Sequence, residues 1–349
     1  MFDQVTRTNE QNIAVIEINN PPVNALGYAV RKGILDCLKV AEADDAVTAI
    51  VIIGSGRTFP AGADITEFGT VMKEPHLPEV IDHIESCSKP VVAALHGTAL
   101  GGGFEIALGS HYRIADANAR VGLPEVHLGL LPGAGGTQRL PRLCGAAFAL
   151  DVMLKGTPIS AKAAKDAGLI DSITKGDLRR AAITFANEVR TVRKTCDETS
   201  QLKDHAAYRA DLAAAHKMIT TRMKGQIAPL KIIACVEAIL EKPFHEGRQL
   251  ERQCFMDCMA SDQSKGMIHA FFAERSSAKV PEASRAEPRI LETLGVVGGG
   301  TMGAGITVAA LNRGLPVTMI ERDAESIARG RSNVEKVYDR LVAKGRMTT

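Results

Sequence analysis

The chain of 349 residues contains no tryptophan, and aromatic residues make up only 4% of it. It therefore lacks the rings for a platform on which nucleic-acid bases stack. An excess of one charge is missing too: a formal net charge of +2 gives no field to hold nucleic acid or a membrane surface. No uninterrupted apolar run reaches the length of a bilayer span, and the polar opening MFDQVTRTNEQN does not read as a signal peptide. Paired cysteines are absent as well. The seven cysteines are odd in number and scattered; Cys254 and Cys258, four apart on a predicted helix, have no second pair or histidine cluster to complete a zinc site. They read as reduced thiols of a cytosolic protein, and no metal is expected.

What remains is ordinary globular material, 45% apolar and 23% charged, in a chain long enough for two or three domains. Its centre is the stretch Lys89 to Ser110, KPVVAALHGTALGGGFEIALGS. Pro90 to His96 predicts a short buried strand. Gly97 to Gly103 packs four glycines into seven residues, and a helix follows from Phe104. A glycine-rich turn entering a helix leaves backbone N–H groups free and aims the positive end of the helix dipole outward. Such a turn holds an anion, or an oxygen that gains charge during a reaction. Glu105 lies in the first turn of that helix, within reach of the same ligand.

Upstream, Ile13 to Asn19 and Val47 to Ile53 predict strands, with a helix from about Gly27 to Ala43 between them. The loop NNPPVNAL ends the first strand with two prolines and exposes backbone groups. The second strand runs into another glycine-bearing loop, GSGRTFPAGADITEF, and Val80 to Ser86 predicts a helix. Strand, loop, helix, strand is the pattern of an α/β fold with a parallel sheet, whose ligands gather at the carboxyl ends of the strands. Downstream, GLPEVHLGLLPGAGGTQRL sets Glu125 after Pro124 and supplies a third glycine-rich loop before a helix at about Thr137. Two carboxylates in unlike environments are what acid–base chemistry on one substrate requires.

These motifs resemble the crotonase (enoyl-CoA hydratase/isomerase) superfamily. FPAGADITEF is similar to its first oxyanion-hole motif, HGTALGGGFEIAL to its second with the first catalytic glutamate, and GLPEVHLGLLPGAGGTQRL to the segment holding the other, in order over roughly the first 190 residues. The resemblance implies a crotonase fold, a spiral of ββα units. It implies that the Ala63 and Gly102 N–H groups hold the thioester oxygen of an acyl-CoA. Glu105 and Glu125 would flank a water placed by the Gly133 N–H, and Asn24, Ala25, Leu26, Ala61 and Ile65 would line the CoA cleft. Retention of both glutamates implies hydration of a trans-2-enoyl-CoA to the (3S)-3-hydroxyacyl-CoA, with Δ3,Δ2-enoyl-CoA isomerase activity beside it and no cofactor. His96 and His127 match no catalytic position of the family and read as structural or peripheral.

From about Ala146 to Glu274 apolar residues recur at helical spacing. The closing helix, ASDQSKGMIHAFFAER, is similar to the one that covers the acyl-CoA site in crotonases. Its Phe271 and Phe272, with Lys279 beyond, read as core packing and solvated charge rather than contacts to acyl chain or phosphate. SSAKVPEASRAEP then reads as a linker. After it, ILETLGVVG predicts a buried strand, followed by Gly298-x-Gly300-x-x-Gly303, a helix, and a strand ending on Glu321. Strand, GxGxxG, helix and a later acid form a dinucleotide-binding pattern in which Glu321 takes ribose hydroxyls and favours NAD.

GVVGGGTMGAGI also resembles the opening of 3-hydroxyacyl-CoA dehydrogenases, and hydratase before dehydrogenase is the order in multifunctional β-oxidation enzymes. The expected layout is residues 1–190 crotonase core, 191–275 helical extension over the acyl-CoA site, 276–289 linker, and 290–349 a truncated Rossmann-like NAD-binding start. KGRMTT is expected to lie inside a helix, so the chain reads as a piece of a longer protein that hydrates enoyl-CoA without oxidising the product. The resemblance implies an acyl-CoA substrate and, as partners, a homo-oligomer or a thiolase. It places the protein in the cytoplasm of a bacterium or the peroxisome of a eukaryote. Two rivals are another crotonase-fold activity, isomerase only or thioester hydrolase, and a non-catalytic acyl-CoA or nucleotide binding module.

Overall fold

The computed structural model describes residues 4–67, 73–277, 280, 283, 286–287 and 289–348. Phe68, Lys279 and much of the 276–289 stretch therefore lie outside the described residues. The chain divides into two compact units, Met1–Ser276 and Ser277–Thr349.

In the first unit, β1 (Val5–Glu10) and β2 (Ile13–Ile18) precede α1 (Tyr28–Ala43) and β3 (Ala49–Gly54). Next come α2 (Leu77–Ser86), β4 (Val91–Leu95), β5 (Thr98–Leu100), α3 (Gly102–Gly109), β6 (Tyr112–Asp116) and β7 (Arg120–Gly122). Then follow α4 (Gly136–Lys155), β8 (Ile159–Ser160), α5 (Ala161–Asp166), β9 (Ser172–Thr174) and α6 (Leu178–Glu188). The remaining helices are α7 (His205–Arg222), α8 (Ile227–Glu237), α9 (Phe244–Ala260) and α10 (Asp262–Ser277). The main sheet has the order β1-β2-β3-β4-β6-β9, and β5-β7-β8 form a smaller one.

Within the main sheet, pairing along β2-β3-β4-β6-β9 is parallel, which needs crossover helices. β1 departs from the expected parallel pattern: it runs antiparallel to β2 through a tight turn at Gln11, whose φ is 57°. VTRTNE buries only Val5, so nothing in its apolar pattern announces a strand; the hydrogen bonds to β2 supply what burial does not. β5 similarly falls inside the glycine-rich stretch that reads as a turn.

Both faces of the main sheet are covered. Ala14, Ile16, Ile18, Ile50, Ile52, Val91, Ala93 and Leu95 enter the larger core, where α1 adds Val30, Ile34, Leu38 and Ala41 at three- and four-residue spacing. The alternate residues Ile13, Val15, Val51, Val92 and Ala94 meet Ala182 and Ala186 of α6 on the other face. This two-sided burial explains why the strands read as continuous apolar runs rather than alternating ones. Strand carboxyl ends are thereby fixed in a rigid layer, and the glycine-rich loops emerge from them.

The second unit contains β10 (Leu294–Val297), α11 (Thr301–Leu311), β11 (Val317–Ile320) and α12 (Ala324–Ala343), with β10 parallel to β11. Contrary to the buried strand expected at ILETLGVVG, Ile290, Leu291 and Val297 are 90%, 67% and 83% exposed. Two strands are too few to shield both faces of a sheet. The helix α12 ends at Ala343 with Gly345 at φ 63°, so the described residues of KGRMTT, Lys344 to Thr348, follow the helix instead of lying within it.

Candidate active site

A cavity of about 520 Å³ opens beside the carboxyl ends of the strands. Glu105, Glu125, Ala63, Gly102 and Gly133 all line it, as do Ala25, Leu26, Ala61 and Ile65. The loops are zipped together before any ligand arrives: Leu26 N–H donates to Gly62 O at 3.0 Å and Ala61 N–H to Val23 O at 3.1 Å. Gly103 lets α3 start against this loop, because any Cβ there would overlap the Pro60 carbonyl.

Gly102 is the first residue of α3, so its N–H has no partner within the helix. A Cβ built on Gly102 would lie 3.5 Å from the Ala63 nitrogen, which sets the two amides side by side. Among the described residues, the Ala63, Gly102 and Gly133 N–H groups are not spent on another protein group. Two adjacent donors facing one cavity suit an oxygen that becomes negative.

The two glutamates stand in unlike surroundings. Glu105 is buried, and its Oε1 accepts from Ala134 N–H and Gly136 N–H, each at 2.8 Å. Burial first, then the nearby Glu251 carboxylate, push its pKa up to about 7, against the pull of those two amides. Glu125 opens a short 3₁₀ turn, Glu125–Leu128, closed by Gly129 in the left-handed region. Its Oε2 is shut away from solvent without a hydrogen-bond partner. Burial, and next the Glu105 charge, raise its pKa well above the ordinary carboxylate range. Both carboxyls thus hold a proton more tightly than an exposed carboxylate does, Glu105 near neutrality with two amides favouring its ionised form and Glu125 with one oxygen that no donor satisfies.

Asn24 is placed otherwise than the CoA cleft expected for it. Its side chain turns into the loop: Nδ2 donates to Ser55 O at 2.9 Å and Thr58 O at 2.7 Å, and Oδ1 accepts from Asn20 N–H at 2.7 Å. These bonds hold the residue at φ 53° and brace the two loops. His96 lies off the cavity with Nε2 3.2 Å from Gly56 O, whereas the exposed His127 lines its wall. Phe271 and Phe272, read as core packing, instead line the cavity together with Arg275, whose guanidinium lies 3.7 Å from the Phe271 ring centre. Phe272 is 40% exposed, which no core residue would be.

Several working residues carried no signal in the sequence. Arg31 donates to Glu67 Oε2 at 2.7 Å and to the Leu26 and Pro75 carbonyls at 2.9 Å, tying α1 to Leu26, Glu67 and Pro75. Phe255 of α9 backs Gly133 so closely that a Cβ there would be 2.5 Å from its ring. Glu251, also on α9, reaches the loop before α4. Each acts across more than a hundred residues or from a helix face that looks like any amphipathic surface.

In the second unit, Gly298 and Gly300 lie in the turn between β10 and α11, and Gly303 in the first turn of α11. A Cβ on Gly303 would collide with Gly298 O, while nothing lies within 4 Å of one on Gly298 or Gly300. The backbone is thus packed on one side and open on the other, as a pyrophosphate cradle requires. Glu321 Oε1 accepts from Gly299 N–H at 2.7 Å, so the acid at the end of β11 is fastened to the glycine turn.

An α/β spiral with paired backbone donors and one buried and one half-buried glutamate on one cavity defines an acid–base enzyme of the crotonase type. The chain belongs to the enoyl-CoA hydratase/isomerase family, which matches residues 8–226. Residues 293–349 match the 3-hydroxyacyl-CoA dehydrogenase NAD binding domain. The chain is 38% identical over 340 residues to the peroxisomal bifunctional enzyme of Danio rerio, covering 95% of this chain and 47% of that protein. It is 37% identical over 352 residues to a peroxisomal fatty acid beta-oxidation multifunctional protein of Arabidopsis thaliana, covering 96% and 49%. The chain therefore spans about half the length of the curated relatives it matches. Among solved structures, a carnitinyl-CoA dehydratase from Mycobacterium avium 104 superposes with a TM-score of 0.57 at 30% identity, over 77% of this chain and 96% of its own. An enoyl-CoA hydratase from Bacillus anthracis gives 0.50 at 26% identity, over 78% and 97%. No described helix is long and apolar enough to cross a membrane.

Proposed function

We propose that the first unit hydrates trans-2-enoyl-CoA thioesters to (3S)-3-hydroxyacyl-CoA in fatty-acid β-oxidation. The observation that carries this reading is a buried and a half-buried carboxyl with unlike hydrogen bonding beside two free amides on one cavity. In the reaction, the Ala63 and Gly102 N–H groups hold the thioester oxygen as the enolate forms. Removing one such donor costs about 3 kcal/mol of barrier in comparable sites. Glu105, which two amides help to ionise, takes a proton from water as its oxygen attacks C3. Glu125, whose desolvation favours the protonated form, delivers a proton to C2. The Gly133 N–H is free to orient the water. Ala25, Leu26, Ala61 and Ile65 form the cleft for CoA, and Arg252 and Arg275 on the cavity wall suit its phosphates. Isomerisation of 3-enoyl-CoA needs only a proton shuttled between C4 and C2, so a slower isomerase activity accompanies hydration.

Residues 1–190 supply this chemistry and 191–275 cover it, which Phe255, Phe271 and Phe272 on the cavity wall support. The end of the first compact unit at Ser276 supports reading 276–289 as a linker. Residues 290–349 are the beginning of the dehydrogenase, with Gly298, Gly300 and Gly303 receiving the pyrophosphate of NAD and Glu321 placed near its ribose. NAD, when bound, supplies the hydride acceptor for oxidation of the 3-hydroxyacyl product. In a eukaryote the names of the relatives support a peroxisomal location; in a bacterium it is cytoplasmic. A homo-oligomer, or association with a thiolase, completes the proposal; light scattering and co-elution test these two.

The deciding experiment follows crotonyl-CoA in the presence of the chain by loss of the conjugated-thioester absorbance, with 3-hydroxybutyryl-CoA identified as product. Release of free CoA, or turnover of a 3-enoyl-CoA without hydration, would replace this reading with a hydrolase or an isomerase.

A further inference from the structure

Four successive amides at the start of α4 are divided between two buried carboxylates. Glu105 Oε1 takes Ala134 N–H and Gly136 N–H at 2.8 Å, while Glu251 takes Gly135 N–H on Oε1 at 2.7 Å and Thr137 N–H on Oε2 at 3.0 Å. The Thr137 hydroxyl also donates to Glu251 Oε2 at 2.5 Å. The loop that ends in Gly133 is thus clamped from one side by α3 and from the other by α9. We propose that Glu251 is a positioning residue for hydration: through the Gly135 and Thr137 amides it fixes both the Gly133 N–H and the oxygen of Glu105. This rests on the hydratase reading above.

A purely structural acid would be better replaced by a neutral group, because a charge without solvent is costly to bury. Glu251 has no exposure at all, and its compensation is partial: Arg248 Nε lies 3.6 Å away and Arg139 acts from α4. The groups facing Glu105 are Glu251 and Arg248 on α9, Glu125 on its 3₁₀ turn, and the amides of Ala134 and Gly136. Those facing Glu251 are Arg248 and the Cys254 thiol on its own helix, Thr137 and Arg139 on α4, Glu105 on α3, Glu125 on its 3₁₀ turn and the Cys235 thiol on α8. Within this set Glu251 raises Glu105, and Arg248 opposes it more weakly. The clamp therefore sets both the place and the proton affinity of the base.

The test uses the full chain with two substitutions. Glu251→Gln keeps the size, removes the charge and presents N–H to one of the donors. Glu251→Asp keeps the charge but is too short to span both amides. Carboxyl ¹³C titration of Glu105, assigned by its loss in Glu105→Gln, reads the effect independently of turnover. In Glu251→Gln the Glu105 midpoint falls below about 7 while burial still holds it above 4.5, and kcat drops on the order of 10- to 100-fold with KM within twofold. In Glu251→Asp the midpoint stays near 7 while kcat drops alike. Parent-like kcat in Glu251→Asp overturns the proposal, also when Glu251→Gln fails to fold. So does a Glu251→Gln chain that melts earlier but keeps its Glu105 midpoint. If the unsubstituted chain does not hydrate crotonyl-CoA, the functional reading has failed, and the Glu105 midpoint still decides whether the clamp exists.

Discussion

Replacing the base by its amide should make the protein more stable at neutral pH. Glu105 has an ordinary pKa of 4.5 when the chain is unfolded and about 7 when it is folded. Because the folded value is the higher one, the folded state binds the proton more tightly. The stability this contributes is complete below pH 4.5, declines as pH rises, and is gone above about 7. At roughly 1.4 kcal/mol for each pKa unit, ionising this carboxyl in its dry site costs the fold about 3 kcal/mol.

Glu105→Gln escapes that cost at little expense, because both amides donate to the same oxygen, Oε1, and a glutamine oxygen can receive both. Glu105→Gln should therefore match the parent at pH 4.5 and exceed it by roughly 3 kcal/mol at pH 8, or about 6 °C in melting temperature of the first unit. Urea titrations and thermal melts at pH 4.5, 6 and 8 measure the difference. A gain of equal size at every pH, or a loss at pH 8, would refute the argument. The hydratase activity of the same variant should be nearly abolished, so stability and function are in opposition at this residue.

Glu125→Gln should lower kcat for crotonyl-CoA by about 10²- to 10⁴-fold with the protein folded, since a general acid is lost while a glutamine oxygen can keep the bond from the residue's own N–H; near-parental turnover would remove Glu125 from the chemistry. Gly102→Ala puts a Cβ 2.5 Å from Leu77 Cδ2 and beside the Ala63 amide. Steady-state kinetics should show a loss of roughly 10- to 100-fold in kcat/KM, with little change in melting temperature because the Leu77 side chain can move. Arg139 is fully buried and pairs with Glu85 at 2.8 Å and Asp82 at 3.1 Å. Arg139→Met strands the buried Glu85 and should cost about 3–5 kcal/mol in urea unfolding; a cost below about 1 kcal/mol would show that the pair is dispensable.

The parts of the site that can be read along the chain are those whose chemistry is local. A glycine-rich turn that opens a helix frees its own amides wherever it sits, so Gly102 and the neighbouring Glu105 are visible in seven or eight residues. The same holds for Pro124 before Glu125 and for GxGxxG at Gly298. Asn24 shows the limit. A polar residue in a loop can face a ligand or hold the loop, and only the positions of Ser55 and Thr58 decide that it holds the loop. Phe271 and Phe272 likewise look like any apolar pair on a helix until α10 is seen at the cavity wall.

By itself the sequence determined the order of the central strands, loops and helices, though not β1 or β5, together with the resemblance that names the family and the residue types available for acid–base chemistry. Backbone conformation, helix dipoles and glycine's freedom act over a few residues, which is why they survive in one dimension. Tertiary structure alone decided how those residues differ in proton affinity. Burial and the approach of Glu251 from α9, 146 positions after Glu105 in the numbering, set the pKa of the base, and such desolvation arises only when distant segments exclude water together.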